Sequence, residues 1–149
     1  MLSGFLKSAS QYPNNTAIII NNNAFSYQWV LNKAILIAKQ LLEKDTSELV
    51  GLYTDNNENT YAGLIAILLA NKGFVPLNNK FPNDRLRKII QDTGIKTVLH
   101  CNASSERVML LKNEISLVID TISDSYTEHN YISEDNRIAY ILFTSGSTG

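Results

Sequence analysis

Apolar positions follow two rhythms along the chain. From Val30 to Leu42 they recur at steps of three and four: Val30, Leu31, Ala34, Ile35, Ile37, Ala38, Leu41 and Leu42. That spacing lines one side of a helix. Ser26 is its expected N-cap, and the KDTSE run from Lys44 ends it. Before the helix, AIII (Ala17–Ile20) and AFSY (Ala24–Tyr27) are short extended stretches joined by asparagines. Asparagine tolerates positive φ, so the pair predicts a hairpin.

The next runs are shorter and denser. LVGLY (Leu49–Tyr53) reads as a buried strand, followed by Asp55 and Glu58 at the spacing of a capping box. The helix they open carries Leu64, Ile65, Ile67, Leu68 and Leu69. It is apolar nearly all round, which predicts a position between layers, and Gly73 is its expected left-handed cap. FVPL (Phe74–Leu77) is extended. Pro82 opens a third helix with Leu86, Ile89 and Ile90 inward and Gly94 as its stop. KTVLH (Lys96–His100) and ISLVI (Ile115–Ile119) read as strands around a short helix within Ser104–Asn113. DTISDSYTEHNYISEDN is polar and reads as a surface connection, and Arg137–Phe143 is the last strand. Strands alternating with helices predict an α/β fold, a mainly parallel sheet with flanking helices and right-handed crossovers. Ligands of such sheets bind beyond the carboxyl ends of the strands.

Composition narrows the function classes. Thirteen basic and 14 acidic residues are spread without a basic cluster, which argues against a nucleic-acid partner. Ala62–Ala70, the longest small-and-apolar run, is far short of the ~18–20 residues that span a bilayer. The opening MLSGFLKSASQYPNN has too short an apolar stretch for a signal peptide. Cys101, the single cysteine, has no partner for an internal disulfide. These features together lead to the expectation of a cytoplasmic protein, not embedded in a membrane.

Candidate chemistry concentrates at the end of the chain. TSGSTG follows IAYILF directly. Gly146 and Gly149 remove Cβ atoms, so the backbone can curl against a ligand. Successive backbone N–H groups, with hydroxyls of Thr144, Ser145, Ser147 and Thr148, suit phosphate oxygens. The string lacks the lysine and spacing of a GxxxxGK[ST] loop. Taken alone it also fits a Ser/Gly linker; the preceding strand favours the phosphate reading. Elsewhere the plain readings lead. His100 and Cys101 read as packing, and His129 is too distant to share a metal site. Asp55 reads as a helix cap before a catalytic carboxylate, and Arg85 as a surface salt bridge or cap contact before an anion ligand. Phe25, Tyr27 and Trp29 read as core, and Glu134 and Asp135 as solvated turn residues. No residue is put forward as catalytic or metal-binding.

RIAYILFTSGSTG closely resembles the phosphate-binding signature of the adenylate-forming superfamily, which comprises acyl-CoA ligases, luciferases and the adenylation domains of peptide synthetases. LLANKGFVPLNNKFPNDRL is similar to the family's second signature, with Gly73, Pro76, Leu77, Pro82 and Arg85 at its positions. AFSYQWVLNKAILIAKQL resembles its early strand-to-helix start. F-P-x-x-R with a following DTG (Asp92–Gly94) leans toward amino-acid adenylation domains and D-alanine–carrier protein ligases. The resemblance implies the N-terminal subdomain of that fold, with residues 1–149 a partial AMP-binding domain that stops inside the phosphate loop. It implies a parent enzyme that uses ATP and Mg2+ to activate a carboxylate, an amino acid on this reading, as acyl-AMP with release of pyrophosphate. The acyl group then passes to a thiol, such as a carrier protein's phosphopantetheine or CoA. Thr144, Ser145, Gly146, Ser147, Thr148 and Gly149 are the nucleotide-binding residues implied, and the chain alone is expected to be inactive. A fatty acyl- or aryl-CoA ligase is the alternative within the family. A noncatalytic α/β scaffold, or half of a split protein, is the alternative of another class.

Overall fold

A computed structural model describes residues 2–111, 115–122 and 140–142. The chain opens with α1 (Leu2–Gln11), β1 (Thr16–Ile20), β2 (Asn23–Ser26) and α2 (Tyr27–Lys44). β1 and β2 form the expected antiparallel hairpin, with Ile20 opposite Asn23. Asn21 and Asn22 make its turn at φ 49° and 65°. Both lie in the left-handed region that a two-residue hairpin turn demands. The Ser26 side chain then accepts the Trp29 N–H at 3.1 Å and caps α2 as predicted. The helix α1 has no counterpart in the sequence reading. Leu2 is buried and Phe5 stacks against Tyr27, centroids 5.6 Å apart.

A second sheet follows, built from β3 (Leu49–Thr54), β4 (Gly73–Asn78), β5 (Thr97–His100) and β6 (Ile115–Val118). Its order is β4-β3-β5-β6 and every pairing is parallel. The helices between them are α3 (Glu58–Leu69), α4 (Asn83–Thr93) and the short α5 (Ser105–Met109). A parallel sheet needs cover on both faces, and the strand side chains divide accordingly. Val50, Leu52, Phe74, Leu99 and Leu117 join one cluster with α2 and α3. Tyr53, Val75, Leu77 and Val98 join another with Leu86, Ile89 and Ile90 of α4 and Val108 of α5. Each fully buried Leu or Ile contributes roughly 1.5–3 kcal/mol.

The helix α3 sits between α2 and the sheet, as its all-round apolarity predicts. Gly63 permits that approach. A Cβ there would lie 3.1 Å from Ile119 Cδ1 and 3.2 Å from Leu52 Cδ1. On the opposite face Gly51 does the same for the cover near α4, where a Cβ would come within 2.7 Å of Ile95 Cδ1.

Three expectations are corrected here. Asn57, not Asp55, caps α3: its Oδ1 accepts the Thr60 N–H at 2.9 Å. Glu58 is the first helical residue, so the capping-box spacing was coincidental. Gly73 does not close α3; it begins β4. The reversal comes two residues earlier at Asn71, φ 57°, where Lys72 N–H reaches Ile67 O and Asn71 N–H reaches Leu68 O, both at 3.0 Å. That is a Schellman motif with asparagine in the glycine position. The polar connection after Ile119 also starts later than its composition suggests. Ile119–Thr121 form a 3-10 turn, Ile122 is buried, and Lys33 Nζ donates to its carbonyl at 2.9 Å. Gly94 does stop α4, at φ 65°, although Pro82 sits at the cap position just outside the helix.

Of the expected last strand, Arg137–Phe143, only residues 140–142 are among those described. Tyr140 bridges Phe74 in parallel, and Ile141 N–H donates to Phe74 O at 3.1 Å. This segment therefore extends the sheet on the free edge of β4.

Candidate functional site

All four strands of the parallel sheet end on one side, and the polar residues that follow them collect there. Asp55 and Asn56 follow β3, Asn79 and Lys80 follow β4, and Cys101 and Asn102 follow β5. A cleft of about 360 Å³ opens beside the ends of β3 and β4. Leu52, Leu64, Tyr61 and Phe74 make its apolar base. Thr54, Asp55, Asn78, Asn79 and Lys80 contribute to its polar rim. The segment Tyr140–Leu142 runs along β4 toward this rim, with Tyr140 and Phe74 in ring contact at 5.7 Å.

The rim is internally bonded. Asp55 accepts from the Ser104 hydroxyl and from Asn79 Nδ2 (3.3 Å), while its backbone carbonyl accepts the Thr60 hydroxyl at 2.6 Å. Arg107 donates from Nε to Asn83 Oδ1 at 2.9 Å and from its terminal nitrogens to the carbonyls of Asn79 and Phe81. Its guanidinium lies 5.9 Å from the Tyr53 ring centroid. Burial pushes the Tyr53 phenol up, against the opposing pull of Arg107. Asp120 ties in the β6 side, accepting from Asn59 Nδ2 and from Asn102 N–H at 2.5 Å each.

The buried pair His100 and Cys101 is packing, as expected. Cys101 Sγ exchanges contacts with the Asn57 amide at 3.0 and 3.3 Å. Burial pushes its thiol up to about 11, outweighing the Asn57 hydrogen bond, so it is no nucleophile at neutral pH. His100 Nδ1 lies 3.0 Å from the Cys101 carbonyl, which assigns the proton to Nδ1. Among the described residues Arg85 makes neither of its expected contacts; its guanidinium stacks 4.0 Å over the Phe81 ring. Phe25 and Trp29 pack at 4.6 Å, in line with their core reading.

Among the described residues no group of three or more His, Cys, Asp or Glu could hold a metal ion. Magnesium demands near-octahedral oxygen ligands. Among the described residues Asp55 is the one carboxylate on the cleft, and both its oxygens are engaged by Ser104 and Asn79. The described residues therefore do not fit a magnesium site. The six predicted nucleotide ligands, Thr144, Ser145, Gly146, Ser147, Thr148 and Gly149, lie outside the described residues, as do His129, Glu134 and Asp135. Sequence reasoning missed Arg107, Asn79 and Ser104.

No helix among the described residues is long and apolar enough to cross a membrane. The chain is 30% identical over 151 residues to tyrocidine synthase 1 of Brevibacillus parabrevis, covering 97% of this chain and 14% of that protein. Its fold matches a crystal structure of the nonribosomal peptide synthetase FmoA3 in an AMPPNP-bound form, with a TM-score of 0.87 at 21% identity. That match covers 97% of this chain and 16% of the other. It also matches the Klebsiella oxytoca NpsA N-terminal subdomain at a TM-score of 0.79 and 18% identity, covering all of this chain and 38% of that one. The AMP-binding enzyme family matches residues 5–149, almost the whole chain. The chain belongs to the AMP-binding enzyme family.

Proposed function

We propose that the chain is part of an ATP-dependent enzyme that converts a carboxylate to its acyl-adenylate and releases pyrophosphate. Thr144–Gly149 hold the polyphosphate. The observation that carries this reading is the parallel contact of Tyr140 and Ile141 with Phe74. It aims the chain at the carboxyl side of the sheet, where ligands of parallel sheets bind. The strand it pairs with, β4, ends at Asn78, which lines the cleft.

The chemical need is charge. A carboxylate attacking the α-phosphorus approaches a polyanion, and the leaving pyrophosphate gains charge. Preorganised N–H and hydroxyl donors lower that barrier without proton transfer. Such donors fill TSGSTG. Magnesium, where used, accompanies the triphosphate and is assigned to no described residue. When bound, it would contribute charge neutralisation of the triphosphate.

An amino acid is the substrate class that the relatives favour. FmoA3 is described as a nonribosomal peptide synthetase and has been crystallised both with AMPPNP and with alpha-methyl-L-serine-AMP. The subsequent acceptor is a thiol, with a carrier protein's phosphopantetheine ahead of CoA. An aryl carboxylate is the second reading, since NpsA is matched in complex with 3-hydroxybenzoyl-AMSN. The test is exchange of labelled pyrophosphate into ATP by the complete protein, against a panel of amino acids and hydroxybenzoates. Exchange dependent on one amino acid is expected. Exchange with none of the acids rejects the reading in favour of a noncatalytic module.

A further inference from the structure

We propose that Arg107 is a positioning residue that sets the β4–α4 turn as the wall of the nucleotide cleft; the proposal rests on the adenylating function above. The turn runs from Asn79 to Pro82 and presents Asn79 and Lys80 to the cleft. A connecting loop of this kind is ordinarily the mobile part of a fold. Here its polar groups are almost all taken. Phe81 N–H donates to Asn78 O at 3.0 Å, and Lys80 N–H to Asn78 Oδ1 at 2.9 Å. The two outward carbonyls, of Asn79 and Phe81, both accept from Arg107, whose Nε takes Asn83 Oδ1 at the start of α4.

The bonds form a closed circuit. Arg107 holds the backbone of Asn79, and the Asn79 amide donates to Asp55 at 3.3 Å. Asp55 accepts from Ser104, which lies one residue before the helix that carries Arg107. The ends of β3 and β4 and the segment after β5 are thereby fixed to one another. Asn79 is gripped at both its backbone and its side chain. A planar guanidinium suits this task because its donors have fixed directions, whereas a lysine ammonium serves as a point charge. Preorganised walls lower the entropy cost of seating a ligand.

The test is kinetic and uses the complete protein. Arg107→Gln removes the fork, and Arg107→Lys keeps the charge without the fork. The expected result is a KM for ATP raised about tenfold in Arg107→Gln and about threefold in Arg107→Lys, with kcat per folded enzyme within about twofold. Arg87→Gln is the control, because Arg87 also bonds a backbone carbonyl, Leu110 O at 3.1 Å, away from the cleft. It should leave KM for ATP unchanged. An unchanged KM in both Arg107 variants overturns the proposal. Amide exchange in the unsubstituted protein decides without any variant: ATP should slow exchange at Lys80 and Phe81, and exchange unaffected by ATP overturns the proposal. Absence of acid-dependent pyrophosphate exchange in the unsubstituted protein removes the underlying function instead, and this inference with it.

Discussion

At the amino edge of the parallel sheet, Lys72 buries its ammonium, 7% exposed, and donates to the carbonyls of Asp45 (2.9 Å) and Ser47. At the carboxyl edge, Arg107 donates to the carbonyls of Asn79 and Phe81. Both cations fasten a loop to the sheet by its backbone oxygens. Their surroundings differ. The lysine is sealed beneath Asp45, whose carboxylate accepts Ser47 N–H at 2.8 Å and the Ser47 hydroxyl at 2.5 Å. The arginine borders the cleft rim through Asn79. One device can thus serve stability at one end of a sheet and ligand placement at the other, and what decides is whether the held loop meets a cleft.

The largest expected effect belongs to the sealed edge. Lys72→Met leaves two carbonyls and the Asp45 charge without their cation. It should cost about 3 kcal/mol in urea unfolding, with no change in nucleotide affinity beyond the loss of folded protein. Arg107→Gln should cost less, about 1–2 kcal/mol, since solvent reaches its half-buried partners. A larger stability loss from Arg107 than from Lys72 would reverse the comparison. Asn57→Ala removes the α3 cap at the carboxyl edge, and the same titration should read a loss of about 1 kcal/mol.

The two edges should also titrate at opposite ends of the pH scale. Burial works to raise the Asp45 pKa, but the Ser47 bonds, Thr97 and the Lys72 charge outweigh it, and the net shift is downward. A depressed carboxyl stabilises the fold above its ordinary range and loses that contribution as pH falls through the folded value. Asp45→Asn should therefore flatten the acid limb of stability below about pH 4. Cys101 is the reverse case. Its thiol is raised to about 11, so the fold keeps its contribution at neutral pH and loses it as pH climbs from about 9 through 11. Cys101→Ser should make that alkaline decline shallower, by below about 1 kcal/mol at pH 9.5. An unchanged alkaline limb would contradict the buried-thiol assignment.

The sequence made the sheet legible because apolar runs and glycine or proline punctuation report local geometry. Asn21 and Asn22 betrayed a hairpin turn, and Ser26 a cap, since each acts on its own backbone. Gly73 misled because glycine suits both a helix end and a strand start, while Asn71 took the left-handed position. The helix α1 went unread although Leu2, Phe5, Leu6 and Ala9 have helical spacing; its short apolar stripe was weighed only as a targeting signal. Arg107 carried no signature at all. Two of its acceptors are main-chain oxygens 26 and 28 positions away, and a backbone carbonyl looks alike in every residue. The proposed phosphate loop stands at the other extreme, with its candidate donors written directly in TSGSTG.

The most direct measurement of the central claim is pyrophosphate exchange by the complete protein carrying Thr144→Ala, Ser147→Ala and Thr148→Ala together. Loss of these donors should lower kcat/KM for ATP by about 100-fold or more while the melting temperature stays near that of the unsubstituted protein. Exchange at the unsubstituted rate would show that the polyphosphate is held elsewhere.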